Sequence, residues 1–553
     1  MIESFRIALA QLNPVMGDIA GNIAKARSAR AQAAKAGADL VLYSELFVVG
    51  YPPEDLVLKP ALQADVRHAV EKWAHETSDG GPAVLVGAPW VEENNLYNAC
   101  LLLDDGRVAA RTYKRNLPNY GVFDEKRVFA SGPMPTPLNI RGLHIGVPVC
   151  EDIWSPEIVG CLAETGGEIL LVPNGSPFEA GKENVRLRLV GNRIAESGKP
   201  MIYVNQIGGQ DELVFDGASF VSNADGALAV ALPAWEEKIV MTNWRRANNG
   251  WICDAGERWP GEGRSQSIYH AMMLGLRDYV NKNRFPGVVL GLSGGIDSAL
   301  SAAVAVDALG PDRVRAVMML SRYTTRESLD DAASCAHLLG VHYDTIPIET
   351  AVEAMNATLA PIFAGCATDV TEENLQSRLR GVILMAISNK FGPMVLTTGN
   401  KSELSVGYAT LYGDMCGGFN VLKDVYKTDV YALARWRNQA VPRAALGPGG
   451  CVMPDNILVR PPTAELRTNQ TDQDFLPPYD ILDGILECLV EKEMSFGDVV
   501  ARGYDPVTVK RIEQLLYVAE YKRRQAAPGV KITSRNFGRD RRYPITNAFR
   551  DAR

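Results

Sequence analysis

The stretch Ser293-Gly294-Gly295-Ile296-Asp297-Ser298 joins an apolar run, Val288-Val289-Leu290-Gly291-Leu292, to an alanine-rich run that continues to Leu309. A glycine-rich turn between a strand and a helix aims several backbone N–H groups in one direction, and the helix dipole adds positive potential there. Gly291, Leu292, Ser293, Gly294, Gly295, Ile296, Asp297 and Ser298 thus form a candidate cradle for a phosphate chain. The bland alternative is a βα turn whose glycines only relieve φ > 0. The Gly-Lys-Ser/Thr ending of a Walker A loop is absent. Asp297 would repel phosphates unless a cation intervened, which makes it a candidate Mg²⁺ ligand. Downstream, Leu396-Thr397-Thr398-Gly399-Asn400-Lys401-Ser402-Glu403 reads as strand, turn and acidic residue. Glu403 is a candidate second metal carboxylate and Thr398 a candidate nucleotide contact. Read alone, the segment is equally a strand followed by a helix capped at Ser402.

A second chemistry is written in the first half. Cys150 follows the apolar run Leu143 to Val149, Glu45 follows Leu40 to Ser44, and Lys114 follows Val108 to Tyr113. A thiol needs a nearby base or cation to become a nucleophile. A lysine stabilises a thiolate or an oxyanion, and a carboxylate relays the thiol proton to a leaving amine. Taken singly, each residue has a plainer reading: a buried free thiol, a solvated loop acid, a surface lysine.

These residues need a scaffold of alternating strands and helices. Strand-like runs are predicted at 7–12, 40–43, 83–88 and 169–173, with helices over 22–36 and 184–197. Hairpin turns are expected at Asp104-Asp105-Gly106 and Ala224-Asp225-Gly226. The second half alternates more regularly, with strands at 288–292, 315–320, 343–348 and 394–398, as in a doubly wound parallel sheet. The whole is an α/β chain. A polar, Gly- and Pro-containing stretch near 235–265 is expected to divide it, giving domains at 1–240 and 266–553 with a linker or crossover at 241–265.

At 553 residues the chain is too long for one core. A net charge of -8 argues against general nucleic-acid binding, and no apolar run approaches a membrane span. No signal peptide is evident at the N-terminus, and nine dispersed cysteines without CxxC pairs suggest reduced thiols, so a cytoplasmic location is expected. The six histidines show no zinc spacing.

The motifs resemble those of known families. Leu42-Tyr43-Ser44-Glu45-Leu46, Tyr113-Lys114-Arg115-Asn116-Leu117-Pro118 and Val149-Cys150-Glu151-Asp152-Ile153-Trp154 are similar, in order, to the three motif regions of the nitrilase or carbon–nitrogen hydrolase superfamily. That resemblance implies an α-β-β-α sandwich with Glu45 as general base, Lys114 for the oxyanion and Cys150 as nucleophile on an amide. It also implies Tyr120, Ser176 and Lys182 as contacts for L-glutamine, a plain turn being an equal reading of Ser176. The SGGxDS turn resembles the pyrophosphate loop of ATP pyrophosphatases, and residues 266–553 resemble NAD synthetases. By that resemblance ATP activates the nicotinate carboxylate of deamido-NAD⁺ as an acyl-adenylate, which ammonia attacks, with Mg²⁺ assisting. It implies ATP contacts at Lys427 and Thr463. It also implies deamido-NAD⁺ contacts at Asn374, Arg378, Glu403 and Lys531. The small ammonia-only synthetases have a lysine where this chain has Leu411 before Tyr412-Gly413-Asp414.

Together the halves resemble the glutamine-dependent NAD synthetase family, which implies an internal ammonia tunnel and a large homo-oligomer, an octamer by resemblance. Two rivals fit the same residues. One is an amidotransferase with a different acceptor, such as an asparagine- or GMP-forming relative. The other is a binding protein built from two inactive domains, which would release no AMP.

Overall fold

In a computed structural model, residues 2–468 and 470–551 are described, and the chain divides into two compact units. One comprises Met1–Gln210 and Val214–Glu262, the other Asp211–Leu213 and Gly263–Arg553.

The first unit is built on two large sheets. A seven-stranded sheet runs in the order Gly250–Cys253, Lys238–Ala247, Ser4–Gln11, Leu40–Leu42, Ala83–Glu92, Asn95–Asp104, Arg107–Tyr113. A six-stranded sheet runs Leu228–Ala231, Phe220–Ser222, Met201–Asn205, Ile169–Asn174, Leu143–Gly146, Leu138–Ile140. Phe5, Ile7, Leu9, Leu40, Leu42 and Leu85 of the first sheet share one core with Ile145, Ile169, Leu171, Ile202 and Val204 of the second. The opposite face of the second sheet buries Leu170, Val172 and Tyr203 with Ile158, Leu162, Val190 and Ile194 of the helices Pro156–Glu164 and Lys182–Ser197. Strands covered on both faces read as unbroken apolar runs, which is why these segments stand out in the sequence. The expected α-β-β-α sandwich is present, and both expected hairpins pair antiparallel.

The stretch expected to be a linker is different. Lys238–Ala247 pairs antiparallel with Ser4–Gln11 along its whole length, and Gly250–Cys253 forms the sheet edge. Thr242, Trp244, Trp251 and Cys253 point into the core while Asn243 and Arg245 face out. Its polar composition belongs to one exposed face of a strand, not to a linker. Residues 254–263 lack helix and strand apart from a bridge at Arg258.

The second unit is built on a five-stranded parallel sheet, His342–Pro347, Val314–Leu320, Val288–Gly291, Met394–Thr397, Phe419–Asn420. Strand order reverses between Val288–Gly291 and Met394–Thr397, so a crevice opens beyond the carboxyl ends of those two strands. The two segments singled out above, Ser293–Ser298 and Thr398–Glu403, follow those same strands. No helix among the described residues is long and apolar enough to cross a membrane.

Candidate active sites

In the first unit Glu45, Lys114 and Cys150 meet. Glu45 and Lys114 are fully buried, with Lys114 Nζ 2.7 Å from Glu45 Oε1. Cys150 is 8% exposed and opens the 3-10 turn Cys150–Trp154 with φ of +45°, a left-handed conformation that a residue with a β-carbon rarely adopts. Asp152 ties the pieces together. Its Oδ1 accepts from the amides of Arg115 and Asn116, and its Oδ2 from that of Val149, so the Lys114 strand end is fastened to the Cys150 turn.

A fourth group, not found in the sequence reading, completes the pocket. Glu125 Oε1 lies 2.7 Å from Lys114 Nζ and accepts from Tyr51 Oη at 2.7 Å. Two buried carboxylates therefore share one ammonium. Burial drives the Glu125 carboxyl upward, Lys114 opposes this, Glu45 adds to it, and the result is about 7. Burial works against the charge on Lys114, but Glu125 and Glu45 outweigh it and hold the ammonium well above its usual range. Glu45 is further fixed by Asn98 Nδ2 at 2.7 Å and the Gly175 amide at 2.8 Å. Burial and then Glu45 push the Cys150 thiol well up, with Lys114 pulling the other way. The resting site thus presents a neutral thiol beside a base, suited to deprotonation during attack rather than before it.

Of the three residues carried over for glutamine, two gather at Glu151. Tyr120 is exposed and donates to Glu151 Oε1 at 3.0 Å, and Lys182 acts on the same carboxyl electrostatically. Ser176 is buried, and its hydroxyl accepts from Arg186 Nε at 3.1 Å. Arg186 also binds the Ser176 carbonyl and forms a buried ion pair with Asp216.

In the second unit a cavity of about 620 Å³ is lined by Gly291 through Ser298, by Thr398 and Glu403, and by Asn374, Lys427 and Thr463. Gly294 has φ of +79°, and a Cβ there would sit 2.4 Å from the Ser328 carbonyl, so only glycine fits. Ser298 is buried and closes the turn, its hydroxyl donating to the Gly295 carbonyl at 2.9 Å and accepting from the Ser293 amide at 3.2 Å. Lys427 Nζ lies 2.5 Å from Asp297 Oδ2 and 3.3 Å from Glu403 Oε1. Asn400 Nδ2 donates to Asp297 Oδ1 at 2.9 Å while its Oδ1 caps the Glu403 amide, so Asn400 is the helix cap and links both carboxylates. Ser402 instead binds Asp483.

Burial raises the Glu403 carboxyl, Lys427 lowers it, and Asp297 and Asp472 raise it again, to about 8. Asp297 and Glu403 bring hard carboxylate oxygens to the same ammonium of Lys427, and donors of that kind fit Mg²⁺. No cluster of three or more His, Cys, Asp or Glu able to hold a metal occurs among the described residues. Other oxygens, from substrate or water, would have to complete the shell.

The remaining predicted contacts divide between the cavity wall and positions away from it. Thr463 Oγ1 donates to the Gln470 carbonyl at 2.6 Å at the cavity wall, and Asn374 accepts from Thr410 at 2.9 Å. Arg378 donates to the Leu411 carbonyl at 3.2 Å and does not line the cavity. Lys531 does not line it either; buried, it bonds Asp540 at 2.6 Å and the Thr533 carbonyl at 2.7 Å.

Residues 6–248 match the Carbon-nitrogen hydrolase family and residues 268–526 the NAD synthase family. The chain is 53% identical over 551 residues to a glutamine-dependent NAD(+) synthetase of Rhodobacter capsulatus, covering 100% of both. A solved glutamine-dependent NAD+ synthetase from Acinetobacter baumannii, in complex with ADP, is 42% identical over 99% of this chain and 100% of its own, with a TM-score of 0.79. A second solved structure, from Cytophaga hutchinsonii, shares the fold at 22% identity, covering 99% of this chain and 98% of its own, with a TM-score of 0.83.

Proposed function

The chain belongs to the family of glutamine-dependent NAD(+) synthetases, and from that premise we propose how its two sites divide the work. It is a ligase that hydrolyses glutamine and, with ATP, amidates deamido-NAD⁺. The observation that carries the division is the occurrence of both sites, complete, in one polypeptide: the buried Glu45–Lys114 pair beside Cys150, and the glycine turn beside Asp297, Glu403 and Lys427.

In the first site Cys150 Sγ attacks the carboxamide carbon of glutamine. Glu45 takes the thiol proton and returns it to the departing ammonia. Lys114 donates to the oxyanion, and water then cleaves the thioester. Tyr120, Ser176 and Lys182 hold the amino-acid end. Glu125 keeps Lys114 charged and oriented.

In the second site the nicotinate carboxylate of deamido-NAD⁺ attacks the α-phosphorus of ATP, and pyrophosphate leaves. Ammonia then displaces AMP from the acyl-adenylate. The amides of the Ser293–Ser298 turn hold phosphates, and Thr398, Lys427 and Thr463 line the ATP side. Asn374, Arg378, Glu403 and Lys531 are the proposed dinucleotide contacts. Asp297 and Glu403 would hold Mg²⁺, which would supply charge neutralisation for the pyrophosphate. Ammonia passes between the sites inside the protein, where it stays unprotonated.

We also propose a homo-oligomer working in the cytoplasm. The helix Glu349–Leu359 buries no residue, and Val382, Phe391, Ile362 and Phe363 nearby are exposed, which supports a face covered by another copy. All nine cysteines are free, in keeping with a reducing compartment. The test is a product assay with glutamine, ATP and deamido-NAD⁺: NAD⁺ and AMP form in equal amounts, and chelating divalent cations stops both while glutamine hydrolysis continues. AMP without NAD⁺, or AMP only when another acceptor replaces deamido-NAD⁺, overturns the reading.

A further inference from the structure

Five cationic side chains line the cavity of the second unit among the described residues: Arg380, Lys427, Arg460, Arg511 and Lys522. Most are engaged elsewhere. Arg380 binds the Met319 carbonyl, Arg511 that of Phe475, and Lys522 those of Gly407 and Ala409. Lys427 reaches the glycine turn, but its ammonium lies between Asp297 and Glu403. Arg460 differs. Its Nη2 donates to the Gly294 carbonyl at 3.0 Å, placing the guanidinium against the backbone of the turn itself.

That placement is built. Pro461 and Pro462 follow Arg460, and a residue before proline is held extended; Arg460 has φ of -67° and ψ of 136°. On its other side Nη1 faces Asp331 Oδ2 at 3.6 Å, and that oxygen is pinned by Asn456 Nδ2 at 2.6 Å. Asp331 is itself buried. A guanidinium carries five N–H donors in a planar fork matched to phosphate oxygens. One is used at Gly294, so others remain to meet an anion lying along the turn.

We propose that Arg460 contacts the pyrophosphate that leaves during adenylation. A carboxylate oxygen of the acceptor forms a bond to the α-phosphorus. The bond from that phosphorus to the bridging oxygen of the β-phosphate breaks, and its electron pair departs on pyrophosphate. Arg460 donates hydrogen bonds to the oxygens on which this charge grows, and no proton is transferred. The proposal rests on the adenylating role assigned to this cavity.

The test uses the full chain and the variants R460A and R460K. Magnesium pyrophosphate is titrated calorimetrically and also measured as a product inhibitor of ammonia-driven synthesis. In R460A, pyrophosphate affinity is expected to fall at least about tenfold and kcat about 10²-fold, the scale for losing a preorganised donor to a developing anion. The KM for deamido-NAD⁺ stays within about threefold, and glutamine hydrolysis at Cys150 is unchanged, which also reports that the chain has folded. R460K, with charge but no fork, regains part of the affinity. Unchanged pyrophosphate affinity in both variants overturns the proposal, as does an effect confined to the KM for deamido-NAD⁺. Should R460A fail to fold, R460K decides by the same two measurements. If the wild type binds pyrophosphate but makes no NAD⁺, the choice of acceptor is wrong, while the affinity difference still tests Arg460.

Discussion

Lys114 Nζ lies 2.7 Å from Glu45 Oε1, and both side chains are sealed from solvent. A buried ion pair of this kind adds little net stability, but removing either partner strands a charge. Its value here is positional: it fixes a base and a cation near a thiol that cannot ionise unaided.

The thiol should be needed by one nitrogen source only. C150A is expected to lose glutamine-driven NAD⁺ synthesis by more than ~10³-fold while ammonia-driven synthesis stays within about twofold. Parallel assays with glutamine and ammonium chloride check this. Loss of both activities in a folded protein would refute the division of labour.

Glu125 should matter without touching the scissile bond. E125Q leaves Lys114 with a single carboxylate, and glutaminase kcat is expected to drop at least about tenfold with synthesis from ammonia intact. The variant also carries a pH signature. The folded carboxyl, near 7, lies above the unfolded one near 4.5, so the native state binds the extra proton between these values. Its contribution is fully present below pH 4.5 and is lost as pH rises through 7. Thermal melts at pH 5 and pH 8 should therefore show E125Q gaining on the wild type at the higher pH. A constant difference would contradict a raised Glu125 carboxyl.

Gly175 holds Glu45 from the far side. A Cβ there would lie 2.7 Å from the Tyr51 ring and 3.2 Å from Glu45 Oε2, so G175A displaces the amide that donates to that oxygen. Glutaminase activity should fall at least about tenfold, with the KM for ATP in the ammonia reaction unchanged. Wild-type glutaminase in G175A would show that this amide does not position the base.

Gly294 plays the matching part in the second unit. G294A combines a positive φ with a backbone clash, and both routes to NAD⁺ should fall by about 10²-fold or more while glutamine hydrolysis persists. An active G294A would remove the glycine turn from the mechanism.

Much of this was legible from residue types. Strands buried on both faces, such as Leu40–Leu42 and Ile169–Asn174, announce themselves as apolar runs. The reactive residues sit where polarity changes at strand ends. What escaped is what needs three dimensions. Glu125, in Asp124-Glu125-Lys126-Arg127, reads as a solvated charged turn, and only folding seals it against Lys114. Arg460 is one arginine in a Pro-flanked loop until the chain brings it to Gly294. The start of the expected linker at 241–265 belongs to the strand Lys238–Ala247: its polar and charged residues mask a partner that lies far away in sequence, the first strand of the chain. Lys531 shows the converse: in sequence it belongs to a basic, solvated-looking tail, yet it is buried against Asp540.

The central claim is that one nitrogen atom, freed at Cys150, is captured near Asp297. Glutamine labelled with ¹⁵N in its amide, supplied with ATP, Mg²⁺, deamido-NAD⁺ and an excess of unlabelled ammonium, tests it by mass spectrometry of the product. Transfer within the protein predicts NAD⁺ enriched in ¹⁵N far above the label fraction of the bulk ammonium. NAD⁺ carrying only that bulk fraction would contradict it.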